Sequence, residues 1–325
     1  MKILHISFHK GCINDINYVL NKLNLDFENM FFFNELDKDA IHGPSHYYKL
    51  TKNNANMYWN KYKDFFYKFD CIITSDTAPL SRIFLQNNWN NKLIIWICNR
   101  FDYNVEGDQH YYDLIREAYN KQNVDIIGYT AFENIYCKNC RGVEVGNKVI
   151  TPCGNISDIY NNYIEKKQLN DIIFVPPYHN DTKMINLSDH LTKIGLKNYN
   201  GKYNGPTDLK NYKCVVHIPY AWSNLSFFES FHLGIIYFIP SISFFNKLRT
   251  GKNFFWSPPF VPNLIQVSEW YNPEYDNLLI KFDSWDDLKY KINSLNYQEH
   301  KLKLKEFGKN HEEKTLNLWK LLLLK

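Results

Sequence analysis

Residues 215–241, VVHIPYAWSNLSFFESFHLGIIYFIPS, carry polar side chains at a spacing suited to an anionic ligand. The segment reads as strand, loop, helix, glycine, strand. Its loop, residues 220–225, falls at the carboxyl end of a parallel strand, where open α/β sheets bind ligands. A helix beginning at Asn224 or Leu225 aims backbone N–H groups and its positive dipole end at that crevice, which suits a diphosphate. Tyr220, Ser223, Asn224 and Ser226 add side-chain groups around it. Glu229 lies a turn further, too far along to face phosphates but placed to accept from ribose hydroxyls. The competing reading of Glu229 is an exposed helix acid. Gly234 should end the helix and Pro240 the strand that follows.

Further candidates stand at other strand ends. NGKYNGP holds Gly201 and Gly205, which permit close backbone approach, and Lys202, either a phosphate partner or a solvated turn lysine. SFHKG follows the first apolar run and offers His9 and Gly11, with Lys10 and Asp15 nearby. His9, neutral near its ordinary pKa, is a general base, a hydroxyl-binding group or a polar surface residue. Asp76, in IITSDTAP, is the stronger base candidate, or else a cap for a helix over residues 77–85. Arg100, one of few arginines, either holds a phosphate or acidic sugar or pairs with Asp102; the pairing is favoured.

These residues need a scaffold of strands with ligand sites at their ends. The 325 residues suit two domains, and β-type runs alternate with helix-length segments throughout. KILHISF, ENMFFF, DCIITS, KLIIWIC, VDIIGYT and KVITPC are predicted strands of the first domain, residues 1–160, with helices at Asn14–Leu23 and Met57–Tyr67. A polar hinge after Gly154 leads to a second domain, residues 161–325, with strands DIIFVPP, LKNYNG, CVVHIPY and IIYFIPS. Its largely helical tail, Trp285–Leu324, either caps that domain or returns Trp319 to the first.

Composition removes several classes. A formal charge of +4 without a basic stripe argues against nucleic acid as partner. No apolar run reaches the ~18 residues of a membrane span, and MKILHISF lacks a signal-peptide core. Seven cysteines, an odd number, then read as reduced thiols in a soluble, cytoplasmic protein. Cys137-x-x-Cys140 has no second pair at zinc spacing, and no dinucleotide fingerprint, P-loop or G-x-S-x-G elbow occurs. Abundant Lys, Asn, Ile and Tyr suggest an AT-rich genome, such as that of a giant virus.

Glu229, four residues, Gly234, an apolar strand and Pro240 together resemble the donor-site signature of GT-B glycosyltransferases. The resemblance extends in layout over most of the chain. It implies two tandem Rossmann-like α/β domains with a cleft between them and a helical tail. It also implies a nucleoside-diphosphate-sugar donor, a hydroxyl acceptor on a glycan or glycoconjugate, and no metal or other cofactor. In such enzymes the glutamate binds the donor's ribose. The loop matching VPPYHNDTK faces the donor phosphates and sugar, which makes Tyr178, His179, Asn180 and Lys183 donor candidates. Asp37-Lys38-Asp39 matches the metal-binding pattern of a different glycosyltransferase fold, but lies too early in the chain for it. Many retaining members carry a second glutamate where this chain has Ala221, so stereochemistry stays open. The rival readings are an epimerase-like enzyme on the same fold and a catalytically silent sugar-binding protein. Oligomeric state is not readable.

Overall fold

The run KILHIS forms strand β1 (Lys2–Ser7), with every residue after Lys2 buried, as expected of a strand covered on both faces. A computed structural model describes residues 1–31, 49–155, 169–177, 185–203, 205–222, 224–250 and 265–324. Within them the chain divides into two units, one of residues 1–152 and 315–325, the other of residues 153–314.

After β1 the first unit runs through α1 (Lys10–Lys22), β2 (Asp26–Phe31), α2 (Lys52–Phe66), β3 (Cys71–Ser75) and α3 (Arg82–Leu85). It continues with β4 (Lys92–Ile97), α4 (Gln109–Tyr119), β5 (Val124–Gly128) and α5 (Ala131–Arg141). The five strands pair in parallel in the order β2-β1-β3-β4-β5. Two expectations are corrected here. KVITPC is not a strand: it meets the sheet only through the bridge Gly128–Val149, because Pro152 removes a donor just beyond it. The helix expected over residues 77–85 is a 3₁₀ turn, Ala78–Ser81, followed by the single turn of α3, and Thr77 rather than Asp76 precedes it.

The second unit contains β6 (Leu169–Phe174), α6 (Leu187–Lys193), β7 (Asn198–Tyr199), α7 (Pro206–Leu209), β8 (Tyr212–Val216) and α8 (Leu225–Leu233). Then follow β9 (Tyr237–Pro240), α9 (Ile242–Arg249), β10 (Ile280–Phe282), α10 (Trp285–Ser294) and α11 (Tyr297–Leu323). Its sheet is again parallel, in the order β10-β9-β8-β6-β7. Numbered within their own units, both sheets therefore have the order 2-1-3-4-5. In each, the first and third strands lie side by side while the chain leaves them toward opposite edges. In open α/β sheets ligands bind at such a reversal, beyond the strands' carboxyl ends.

Each core is rich in rings. In the first unit Trp96 is fully buried, donates from Nε1 to Ile150 O at 2.8 Å, and meets Trp319 of α11 edge to face at 5.7 Å. Lys92 Nζ donates to Leu322 O in the last turn of the same helix. In the second unit Phe227, Phe228 and Phe231 form one face of α8. Phe227 packs on Trp270 (4.9 Å), Phe228 on His311 of α11 (5.6 Å) and Phe231 on Phe307 (5.0 Å). Gly154 sits against the same helix with φ +69°, and a Cβ there would lie 2.6 Å from the carbonyl carbon of Phe228.

Candidate functional site

The reversal point of the first sheet lies between β1 and β3, and the loops leaving both strands carry candidate residues. His9 caps α1: its Nδ1 accepts from Cys12 N at 3.3 Å, and its own N–H donates to Ser7 Oγ at 3.1 Å. With Nδ1 accepting, the proton of the neutral ring sits on Nε2. Gly11 lies in the first turn of the same helix. Across the sheet, His5 Nε2 and Ser75 Oγ share a hydrogen bond of 2.8 Å, which ties the end of β3 to β1. Burial holds the His5 imidazole down at about 3, so the ring is neutral.

Asp76 follows Ser75 in the left-handed region, at φ +69°. Few residues other than glycine adopt this conformation, and such positions gather at functional sites. Its carboxyl is part-buried, and burial, then the charge of Cys12, pushes it up to about 7 against the opposing influence of His9. The fold thus brings His9 and Asp76 within electrostatic reach of each other.

Two residues that sequence reasoning missed, Cys12 and Cys98, interact electrostatically with this pair. The Cys12 thiol hydrogen bonds with Cys98, His9 and Ser75, and the Cys98 bond above all lowers its pKa, against the effect of burial, to about 6. Burial raises the Cys98 thiol, whose Sγ donates to Trp96 O at 3.5 Å. A cysteine in the first turn of a helix that follows a strand was the available signal for Cys12.

Arg100 requires a correction. It pairs with Glu106 at 3.0 Å, not with Asp102. The turn after β4 folds Asp102 inward, where it accepts from Tyr112 Oη (2.8 Å), Tyr136 Oη (3.1 Å) and Arg141 Nε (2.5 Å). Arg100 keeps its guanidinium toward the surface, 26 % exposed.

In the second unit the loop after β8 and the start of α8 carry the other group. Asn224 occupies the N-cap without a side-chain capping bond, and its Oδ1 is shielded from solvent with no hydrogen-bond partner among the described residues. Leu225 opens the helix, and Gly234 closes it in the left-handed conformation. Ser226 and Glu229, three residues apart, share a helix face beside the phenylalanine face. Ser226 hydrogen bonds the Tyr237 hydroxyl; burial chiefly, and the charge of Glu229 in part, raises that phenol. Glu229 is only 7 % exposed, so it is not an exposed helix acid. His217, just past the end of β8, packs against Trp270 (5.1 Å), Tyr220 (5.9 Å) and Tyr237 (6.4 Å). Its place at a strand end could have marked it in the sequence. Lys202 is exposed, and Gly205 precedes α7 at φ +82°. Ser223, Tyr178, His179, Asn180, Lys183 and the Asp37-Lys38-Asp39 motif lie outside the described residues. Among the described residues no cluster of three His, Cys, Asp or Glu side chains could hold a metal ion. No described helix is long and apolar enough to cross a membrane.

No protein-family model matches this chain, and no curated protein matches it in sequence. Solved structures do resemble it. UGT89C1 of Arabidopsis thaliana, complexed with UDP, superposes at a TM-score of 0.52 and 12 % identity over 97 % of this chain and 98 % of that one. MurG of Acinetobacter baumannii gives 0.49 and 10 %, covering 98 % of each chain. HepE of Anabaena, in complex with UDP, gives 0.49 and 12 %, covering 97 % of this chain and 94 % of that one. The two parallel sheets and the first of these likenesses define the class: this chain has the GT-B fold.

Proposed function

We propose that the protein is a glycosyltransferase that moves a sugar from a nucleoside diphosphate to a hydroxyl acceptor on a glycan or glycoconjugate, without a metal. The meeting of His9 and Asp76 at the reversal point of the first sheet carries this reading. Asp76, poised at about 7, is matched to taking a proton from a hydroxyl near neutral pH. His9, with its Nδ1 engaged by α1, offers Nε2–H as a donor to the acceptor or the departing sugar, and leaves the role of base to Asp76. Gly11 and Arg100 belong to this acceptor side.

The second unit takes the donor. The first turn of α8, with Asn224, Leu225, Ser226 and the preceding Tyr220, binds the diphosphate, and Glu229 accepts from the ribose. Ser223, Lys202, Gly205, Tyr178, His179, Asn180 and Lys183 complete the donor side in this reading. The UDP bound to UGT89C1 supports a nucleotide ligand. Displacement by an acceptor that Asp76 activates would invert the anomeric carbon.

A thermal-shift series with UDP, GDP, dTDP and CMP and their sugar conjugates tests the donor assignment. A ligand at 100 times its Kd adds about 2.7 kcal/mol of stability, enough for a clear rise in Tm. Absence of a shift with every nucleotide would remove the proposal. Binding without transfer from a labelled donor to any acceptor would favour a silent sugar-binding protein.

A further inference from the structure

We infer that Trp270 is a specificity residue of the donor site, where its indole N–H and the Asn224 carboxamide oxygen hold one hydroxyl of the sugar to be transferred. The inference rests on the reading of α8 as the donor helix. Trp270 lies in the 3₁₀ turn Glu269–Tyr271. Two hydrogen bonds clamp that turn across the carboxyl ends of neighbouring strands. The Glu269 N–H donates to Trp222 O in the loop after β8 at 2.8 Å, and Tyr271 Oη donates to Pro240 O at the end of β9 at 2.9 Å. The Trp270 ring, 1 % exposed, is wedged against Phe227 in the first turn of α8 (4.9 Å), His217 (5.1 Å) and Tyr237 (5.6 Å). It thus sits where open parallel sheets bind ligands.

None of this packing uses the indole N–H. Trp270 Nε1 is shielded from solvent and has no hydrogen-bond partner among the described residues. The same holds for Asn224 Oδ1, three residues before Phe227 and so on the same side of α8. Buried polar groups are nearly always bonded, so a donor and an acceptor left over at one helix end point to a bridging group. A hydroxyl satisfies both, accepting from the indole and donating to the carboxamide, whereas an ionised phosphate oxygen only accepts. Asn224 is half-buried and makes no side-chain capping bond, so its side chain can turn to admit the hydroxyl. The order of the ligand selects the sugar. With the ribose on Glu229 and the diphosphate on the first-turn N–H groups, the group beyond the diphosphate reaches the N-cap.

Trp270→Phe keeps a ring in the cluster and removes the N–H. Titration calorimetry of the full chain compares UDP with UDP-glucose, or whichever nucleotide and sugar conjugate the parent binds. The variant should lose about tenfold in affinity for the sugar conjugate and stay within about twofold for the bare nucleotide. In an Asn224→Ala background the same substitution should have no further effect, because both residues hold one hydroxyl. Equal losses for nucleotide and conjugate, no loss for either, or a full loss in the Asn224→Ala background would overturn the inference. If Trp270→Phe does not fold, monodeoxy analogues of the donor sugar supply the reading: removing one hydroxyl should cost the parent about tenfold and Asn224→Ala nothing, and the lack of any such position overturns it equally. A parent that binds no nucleotide at all would instead sink the donor reading itself.

Discussion

At the scale of single residues, Asp76 combines a left-handed backbone with a carboxyl that its surroundings keep protonated to about pH 7. Its proton is lost near pH ~4 in the unfolded chain, so the unfolded state binds fewer protons between those limits and stability falls as pH rises through that window. Asp76→Asn removes this cost, and asparagine also tolerates the left-handed region. We expect the variant to melt a few °C higher than the parent at pH 8, with a smaller difference at pH 5, and to lose about 10²–10⁴-fold in transfer rate. Paired melting curves and rates check both parts. In the parent, the rate should climb with pH to a plateau just above 7; a profile flat from pH 5 to 9 would exclude Asp76 as the base. His5 acts in the opposite sense. Its folded pKa lies below the unfolded value, so the stability it permits is lost as pH falls below about 6.5. Glu229→Ala should weaken nucleotide binding about tenfold or more while leaving the melting temperature of the free protein within a few °C, because charge-assisted hydrogen bonds of this kind contribute about 1.5–3 kcal/mol; titration calorimetry reads it directly.

At the scale of elements, the strands and the punctuation of α8 were legible because period and turn chemistry are local. KILHIS, DCIITS and KLIIWIC are almost wholly buried, as strands covered on both faces must be, and Gly234 stops α8 where its left-handed angles require. KVITPC reads equally well as a strand by composition. What stops it is Pro152, which has no N–H to carry the pairing with β5 beyond the bridge at Gly128–Val149. The contact of His9 with the Cys12–Cys98–Asp76 group was likewise illegible, because it depends on β1 lying beside β3 in space. Arg100 and Asp102 are close in sequence, yet one turn sends them to different environments. Gly154 shows how tightly an element can be placed: a Cβ would meet the α8 backbone at 2.6 Å, and the residue is also left-handed. Gly154→Ala should cost roughly 2–4 kcal/mol, the sum of a backbone and an overpacking penalty, measured by denaturant unfolding.

At the scale of the whole molecule, two sheets of the same strand order divide the labour in the proposed reaction, one unit for each substrate. The last turns of α11 belong with the first unit, where Trp319 is fully buried against Trp96. Trp319→Ala should therefore cost about 3–5 kcal/mol, and tryptophan fluorescence during unfolding would place that loss in the first unit. The same contact sets a schedule on the ribosome. Residues 1–152 emerge first, but the piece that covers Trp96 is made only after the second unit has been synthesised. At about 5–20 residues per second the nascent first unit waits on the order of ten seconds or more with that indole uncovered. During this interval it is a ready client for chaperones that bind exposed aromatic surface, and its maturation is tied to the making of α11.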